Sequence, residues 1–474
     1  MSGEDIDAMK TMFRMLPILA VAALLAGCQG PCQKIDRISA PALTAGGADF
    51  TTYVAAGTSI SAGYQSGALV DRHQIYSFPA IFARQIGKTV LLNGQGTFSE
   101  PTIDKDGIGT DALGNPVGIM KLVALPDSIT TAFSVLGAPN NLAWPHPYSN
   151  LGVPGALMSD FAGLANAGAG YFPAVARGLG SIRNLMLAQA PTFVTLEYGA
   201  NEVLGYATAG TMPSVALRTL IPAMYVDSVK SAVRTLHAQL PNTKIVLFTI
   251  PDVTSIPFAT TLPAATVSLT TGLAVPLIGT GSSGSSGPLT PGKDLVTLKA
   301  AYFLNQGYGI PVGGYNFINP AVPGNGLPLP NAVVLGDDEK SALQTMAATM
   351  NDSLVAITLR TPYVALVDLH GLLADVKANG VWYGATHYTS DFIAGGLFSL
   401  DGVHPSDMGH VVICNALVDA VNARFGSTVP RANPADYAHL TSFSARPTGP
   451  ATRAAMLHAG RGDLGLAGAF PQRY

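Results

Sequence analysis

Charge is scarce in this chain. Asp, Glu, Lys and Arg make up 12% of its 474 residues, and the formal net charge is −3. That balance excludes a basic face for a nucleic-acid backbone, and no basic patch is visible in the body of the sequence. Cysteine is scarcer still, at three: Cys28, Cys32 and Cys414. So few thiols give no disulfide framework. Cys414 falls in an apolar helical pattern and reads as a small buried residue. Only two tryptophans occur, Trp144 and Trp382, which argues against an aromatic platform for carbohydrate. No internal repeat of useful length is visible. The histidines are scattered, so neither a metal nor another cofactor is expected. What the chain has in quantity is apolar residues (48%), glycine (52) and proline (34). It can bury a large core and must carry long loops.

The first residues read as a targeting segment. Lys10 and Arg14 precede an uncharged apolar run, Met15 to Ala26, broken only by Pro17. The run is too short to span a bilayer comfortably and suits the apolar centre of a signal peptide. It ends Leu25-Ala26-Gly27-Cys28, which resembles the bacterial lipobox. The resemblance implies cleavage before Cys28 and a lipid on that cysteine. With Gln29 rather than aspartate next, it implies an outer-membrane lipoprotein of the cell envelope. A plain secretory signal, giving a periplasmic or secreted protein, is the alternative. The expected organisation is a signal peptide (1–27), a tether (28–48), one folded domain (49–425) and a disordered tail (426–474).

Within the domain, apolar strands alternate with amphipathic helices. Strands are expected at about 51–56, 89–92, 192–198, 244–250 and 363–369. Helices are expected at about 74–86, 174–190, 214–239 and 337–359, and from Pro405 through about Phe425. This alternation argues for an α/β domain with a parallel sheet, whose site lies outside the carboxyl ends of the strands. Between Val253 and Gly336 the only charges are Lys293, Asp294 and Lys299. This loop-rich insertion leaves the carboxyl end of an expected strand. It is either a lid or acyl-binding wall, or an elaboration packed on the sheet edge. Its Gly281–Gly287 stretch lacks the lysine and spacing of a phosphate loop and reads as a flexible loop.

Four short blocks carry the chemistry. Gly57-Thr-Ser59 follows a buried strand, where a tight turn would lift the Ser59 hydroxyl above the sheet edge. A serine needs a base to take its proton, and His404 is available. Asp401, three residues earlier, would hold the imidazole and stabilise its charged form. The backbone amides of Ser59 and Gly155 and the side chain of Asn201 are suitable donors to a developing oxyanion. His410 lacks partners for a metal site and reads as helix surface. The blocks Gly57-Thr-Ser59, Asn150-Leu-Gly-Val-Pro-Gly155, Gly199-Ala-Asn201-Glu and Asp401-Gly-Val-His404 resemble, in order, those of the SGNH (GDSL-type) serine hydrolases.

That resemblance spans about residues 50–425. It implies a three-layer α/β/α sandwich with a parallel sheet of about five strands and a large loop insertion. It also implies a serine esterase or lipase acting on small-molecule or lipid esters. Thr58 and Ile60 beside Ser59, and Glu202 after Asn201, depart from the family's usual residues without removing a reacting group. A deacetylase of acetylated polysaccharide and a catalytically silent envelope-binding protein are the alternatives.

Overall fold

The computed structural model describes residues 42–110, 115–125, 128–164 and 170–437. The expected signal peptide, Cys28, Cys32, the start of the tether and everything past 437 lie outside the described residues. The described residues from Leu43 to Tyr437 belong to one compact unit.

Five strands make its central sheet: β1 (Tyr53–Gly57), β2 (Asn150–Gly152), β3 (Phe193–Glu197), β4 (Lys244–Phe248) and β5 (Val364–Val367). Their order is β5-β4-β3-β1-β2, and every pairing is parallel. The strands are nearly continuous apolar runs because both faces are covered. Val54, Ala56, Val194, Leu196, Ile245 and Leu247 pack into one core cluster. Their alternating neighbours Tyr53, Ala55, Phe193, Val246 and Phe248 pack into the other.

Helices complete the two outer layers. For those the chemistry needs, α1 is Ser59–Ala62, α2 Phe78–Gln85, α3 Asn201–Ala209 and α4 Val215–Gln239. Next come α5 (Pro257–Thr260), α6 (Asp337–Arg360), α7 (Leu369–Asn379) and α8 (Asp407–Phe425). The buried residues of α3, α4 and α6 belong to the first cluster and those of α2 and α8 to the second. Helix α8 is apolar nearly all round: Met408, Val411, Cys414, Leu417, Val418 and Val421 are all buried, as a helix inside a core requires. Ser406 caps its start, accepting from the Gly409 amide, and Gly426 in the left-handed region ends it. The expected three layers and five parallel strands are therefore present.

Several local expectations fail for identifiable reasons. The helix expected over 174–190 is two pieces, Phe172–Ala176 and Ile182–Leu187. Arg177, Gly178 and Gly180 between them adopt φ of 51°, 74° and 128°, which no helix tolerates. Residues 89–92 form no strand, because no neighbouring strand pairs with them. His410 is fully buried in α8, not on a surface, and its Nδ1 accepts from the Phe78 amide at 3.2 Å. Helix α7, capped by Asp368, had no expectation at all.

The insertion is folded. It holds three two-stranded pairings and α5, and Leu277, Leu298, Leu304, Ile310 and Leu329 join the main core. Gly281–Gly287 runs from the end of one strand of a hairpin into its partner, Ile278–Thr280 pairing with Ser286–Pro288. In α5, the Phe258 amide donates to the carbonyl of Gly402 (2.8 Å), inside the Asp401–His404 segment.

The folded part also extends past both expected limits. Gly47 N–H donates to the Phe425 carbonyl (2.6 Å), and Thr428 N–H to the Thr44 carbonyl (3.0 Å). Beyond 426, two α8 amides grip the departing chain. Asn422 both donates to and accepts from the Val429 backbone, at 2.9 Å each way. Asn415 does the same for Ala432, at 3.1 and 2.8 Å. Val429, Ala432 and Tyr437 are buried as a result. Composition read the segment as a disordered tail because it lacks periodicity; the clamp is made of side chains and leaves no periodic trace. Replacing Asn415 by alanine leaves two buried backbone groups unpaired, and should cost about 1–3 kcal/mol. Urea unfolding checks it: an unchanged midpoint would show that the clamp contributes nothing.

Candidate active site

The turn that carries Ser59 is built by local geometry. Strand β1 ends at Gly57, where a Cβ would stand 2.2 Å from Ser61 Oγ and 2.6 Å from the Glu197 carbonyl oxygen, so no other residue fits. Thr58 caps α1, and Gly63 closes that single turn at φ 74°. Ser59 is thus the first residue of a one-turn helix, and its amide donates to no group among the described residues.

Beneath the turn lies a carboxylate that sequence reasoning overlooked. Glu197, last residue of β3, is buried. Its Oε2 accepts from the amides of Thr58 (3.1 Å) and Ser61 (3.3 Å) and from both hydroxyls (2.9 and 3.1 Å). The available signal was a lone acid within the apolar strand pattern Phe193-Val-Thr-Leu-Glu197. Burial pushes its carboxyl up to about 7, against the pull of these donors.

Three expected residues, remote in sequence, form one chain of contacts. His404 Nε2 lies 2.9 Å from Ser59 Oγ, and His404 Nδ1 lies 2.9 Å from Asp401 Oδ2. All three side chains are buried. Asp401 has four further donors: Oδ1 accepts from Ser399 Oγ (3.0 Å) and the amides of Val403 and His404 (2.9 Å each), and Oδ2 from the Gly67 amide (3.1 Å). Burial pushes its carboxyl up, but His404 and these donors prevail and hold it below the usual carboxylate range. The Tyr64 ring lies against the imidazole at 4.7 Å between centroids, and its hydroxyl donates to the Gly67 carbonyl (2.5 Å). Tyr64, Gly67 and Ser399 had no motif to announce them.

The expected oxyanion donors arrive on neighbouring strand ends. Gly155 sits in the turn after β2 at φ 78°, and its amide donates to no group among the described residues. The Val153 amide ties that turn to the Gly57 carbonyl (2.9 Å). Asn201 opens α3, and its Nδ2 donates to the Ala156 carbonyl at 2.9 Å, which leaves its second hydrogen available. Glu202 braces the same loop by accepting from the Met158 amide (2.8 Å). Burial pushes the Glu202 carboxyl up to about 7. Of the five expected site residues in the described part, Ser59, His404 and Asp401 are bonded to one another, while Gly155 and Asn201 follow the carboxyl ends of the two strands that flank β1. Cys28 lies outside the described residues.

Beside this site runs an apolar groove between α7 and α8. Ile60, next to Ser59, and Val403 and Pro405, on either side of His404, contribute to its wall, together with Leu372, Leu373 and Val412. Of the insertion, only Ile256 reaches this wall.

A family model described as GDSL-like Lipase/Acylhydrolase matches residues 53–417. The chain matches no curated protein. Among solved structures it is similar to an extracellular lipase from Streptomyces rimosus, at 11% identity, 78% of this chain, 99% of that one and a TM-score of 0.34. It is also similar to an active-site mutant of a family two carbohydrate esterase from Clostridium thermocellum, at 11% identity, 79% and 64% coverage and a TM-score of 0.27.

Two outcomes are expected from the buried acids. Glu197→Ala orphans two buried amides, at about 1–3 kcal/mol each, and loosens the turn. Labelling of Ser59 by a fluorophosphonate should slow at least tenfold, while Glu197→Gln, which keeps an acceptor and the shape, should stay near wild type. Equal rates in all three would deny Glu197 any hold on the turn. The second outcome concerns pH. Burial also pushes Glu100 up to about 8, from an ordinary value of 4.5. Glu100, Glu197 and Glu202 keep protons in the folded state that the unfolded chain releases. Their stabilisation is full below about 4.5 and is lost as pH rises toward 7–8, by up to ~1.4 kcal/mol per pH unit for each group. Asp401 acts oppositely, but below the usual carboxylate range. Unfolding midpoints should fall from pH 5 to pH 8, and Glu100→Gln should flatten the slope; a rising midpoint would refute this.

Proposed function

The chain belongs to the GDSL-like lipase/acylhydrolase family, and on that premise we propose that it is a serine esterase using Ser59, His404 and Asp401. The observation that carries this reading is the unbroken Ser59–His404–Asp401 contact chain, 2.9 Å at each step.

In the proposed reaction an ester carbonyl lies over the start of α1. Ser59 Oγ attacks the carbonyl carbon as His404 Nε2 takes its proton. Asp401 stays ionised, fixes the imidazole through Nδ1 and stabilises the imidazolium. The carbonyl oxygen becomes an oxyanion facing the amides of Ser59 and Gly155 and the free hydrogen of Asn201 Nδ2. Collapse of the intermediate expels the alcohol, which leaves with the proton from His404. The acyl group then remains on Ser59. Water, deprotonated by His404, repeats the sequence and releases the acid. The apolar groove next to Ile60 and Val403 favours esters bearing an aliphatic chain over small polar ones.

Hydrolysis of p-nitrophenyl esters from acetyl to octanoyl tests the proposal. Ser59→Ala should abolish turnover. Asn201→Ala should lower kcat roughly 100- to 1000-fold, the usual cost of one oxyanion donor. A folded wild-type chain that hydrolyses no ester and takes no fluorophosphonate would replace this reading with the silent binding protein.

A further inference from the structure

The insertion carries a hairpin whose exposed side chains bear no charge: leucine, valine, alanine and proline with Thr270 and Thr271. Residues Ala265–Val267 and Ala274–Pro276 pair as an antiparallel hairpin. Its tip is fastened internally, with Ser268 N–H on the Leu273 carbonyl (2.9 Å) and Ser268 Oγ accepting from the amides of Thr270 and Thr271 (3.3 Å each). A second loop is bonded alongside: Leu269 N–H donates to the Gly313 carbonyl (2.8 Å) and Tyr315 N–H to the Val267 carbonyl (2.7 Å). The two loops together expose Leu269 (69%), Leu273 (68%), Val312 (82%), Val267 (46%) and Tyr315 (40%).

Apolar side chains exposed singly need no explanation, but five on two bonded loops form a patch. The tip is not loose chain whose leucines happen to face out, because its own hydrogen bonds hold it in shape. Nor does the core need these residues, since Leu277, Ile310 and Leu329 already fill it from the same segment. Charge and composition identify the occupant. Residues 253–292 and 300–336 contain no Asp, Glu, Lys or Arg. A protein partner is normally gripped by Trp, Tyr or Arg within a polar rim, and Leu, Val, Ser and Thr are poor anchors. An uncharged tip of exposed Leu and Val, with two threonines at the turn and Tyr315 on the adjoining loop, suits a lipid–water interface. Aliphatic groups there enter the acyl region while the phenol stays at headgroup depth.

We propose that the 265–276 hairpin and the 311–315 loop form a membrane-contact tip that inserts into neutral lipid surfaces. The contact is hydrophobic, so it needs neither anionic lipid nor low salt. It stands apart from the esterase reading, since an inert protein would bind lipid in the same way.

The test uses the full chain and phosphatidylcholine vesicles. Leu269→Trp places a reporter on the tip. Its emission should shift to the blue on adding vesicles and be quenched by lipids brominated on their acyl chains. Leu269→Asp combined with Leu273→Asp should lower the vesicle partition coefficient at least tenfold, with little change between about 50 and 500 mM salt. An unshifted reporter would overturn the proposal. So would binding that requires anionic lipid. A wild-type dimer that becomes monomeric in the double variant would also overturn it, and would assign the tip to a second copy of the chain.

Discussion

The buried carboxylate of Asp401 is the point on which the candidate site turns. A charge taken out of water must be met by donors, or it is neutralised. Asp401 is met by five: four from its own loop, at Ser399, Val403 and His404 (twice), and one from Gly67, just past the turn that carries Ser59 and 334 positions away. Satisfying one charge therefore draws the loop after α1 and the loop before α8 together. That closure sets His404 against Ser59. The insertion joins it from outside through Phe258 on Gly402, where a Cβ would stand 2.8 Å from Leu298 and leave no room for another residue.

A second carboxylate works from below. Glu197 collects two amides and two hydroxyls from the four residues Thr58–Ser61 and so fixes the one-turn helix that presents Ser59. Asp401 sets His404 and Glu197 sets the turn. Both act through hydrogen bonds from backbone amides, which cannot rotate away as side chains can. The contrast between the Glu197 variants, alanine against glutamine, bears on this division of labour.

Much of this was legible in the sequence where a residue's role is local. The strand ending at Gly57, the helix from Asp407 to Phe425 and the residues Ser59, Gly155, Asn201, Asp401 and His404 all announce themselves by pattern or by resemblance. What escaped depends on contacts at long range. Glu197 is one acid in an apolar strand, and nothing nearby says that Thr58 and Ser61 will donate to it from 139 and 136 positions away. His410 had the look of a polar face, but the first turns of α8, from Asp407 to Asn415, are buried on every side. The clamps by Asn415 and Asn422 convert an aperiodic stretch into ordered chain without altering its composition. The insertion was recognisable by its lack of charge, yet its hairpins and its seat on Gly402 were not.

The meeting of Thr44 with Thr428 has a geometric sequel. Helix α8 starts three residues past His404 and runs 19 residues to Phe425, which at 1.5 Å per residue is about 28 Å. Thr44 and Thr428 therefore meet at the rim opposite the strand ends that bear Ser59, and past Thr428 the chain turns back along α8, Val429 at Asn422 and Ala432 at Asn415. The stretch that enters the domain at Thr44–Gly47 and the candidate site at Ser59 thus occupy opposite rims, about one helix length apart.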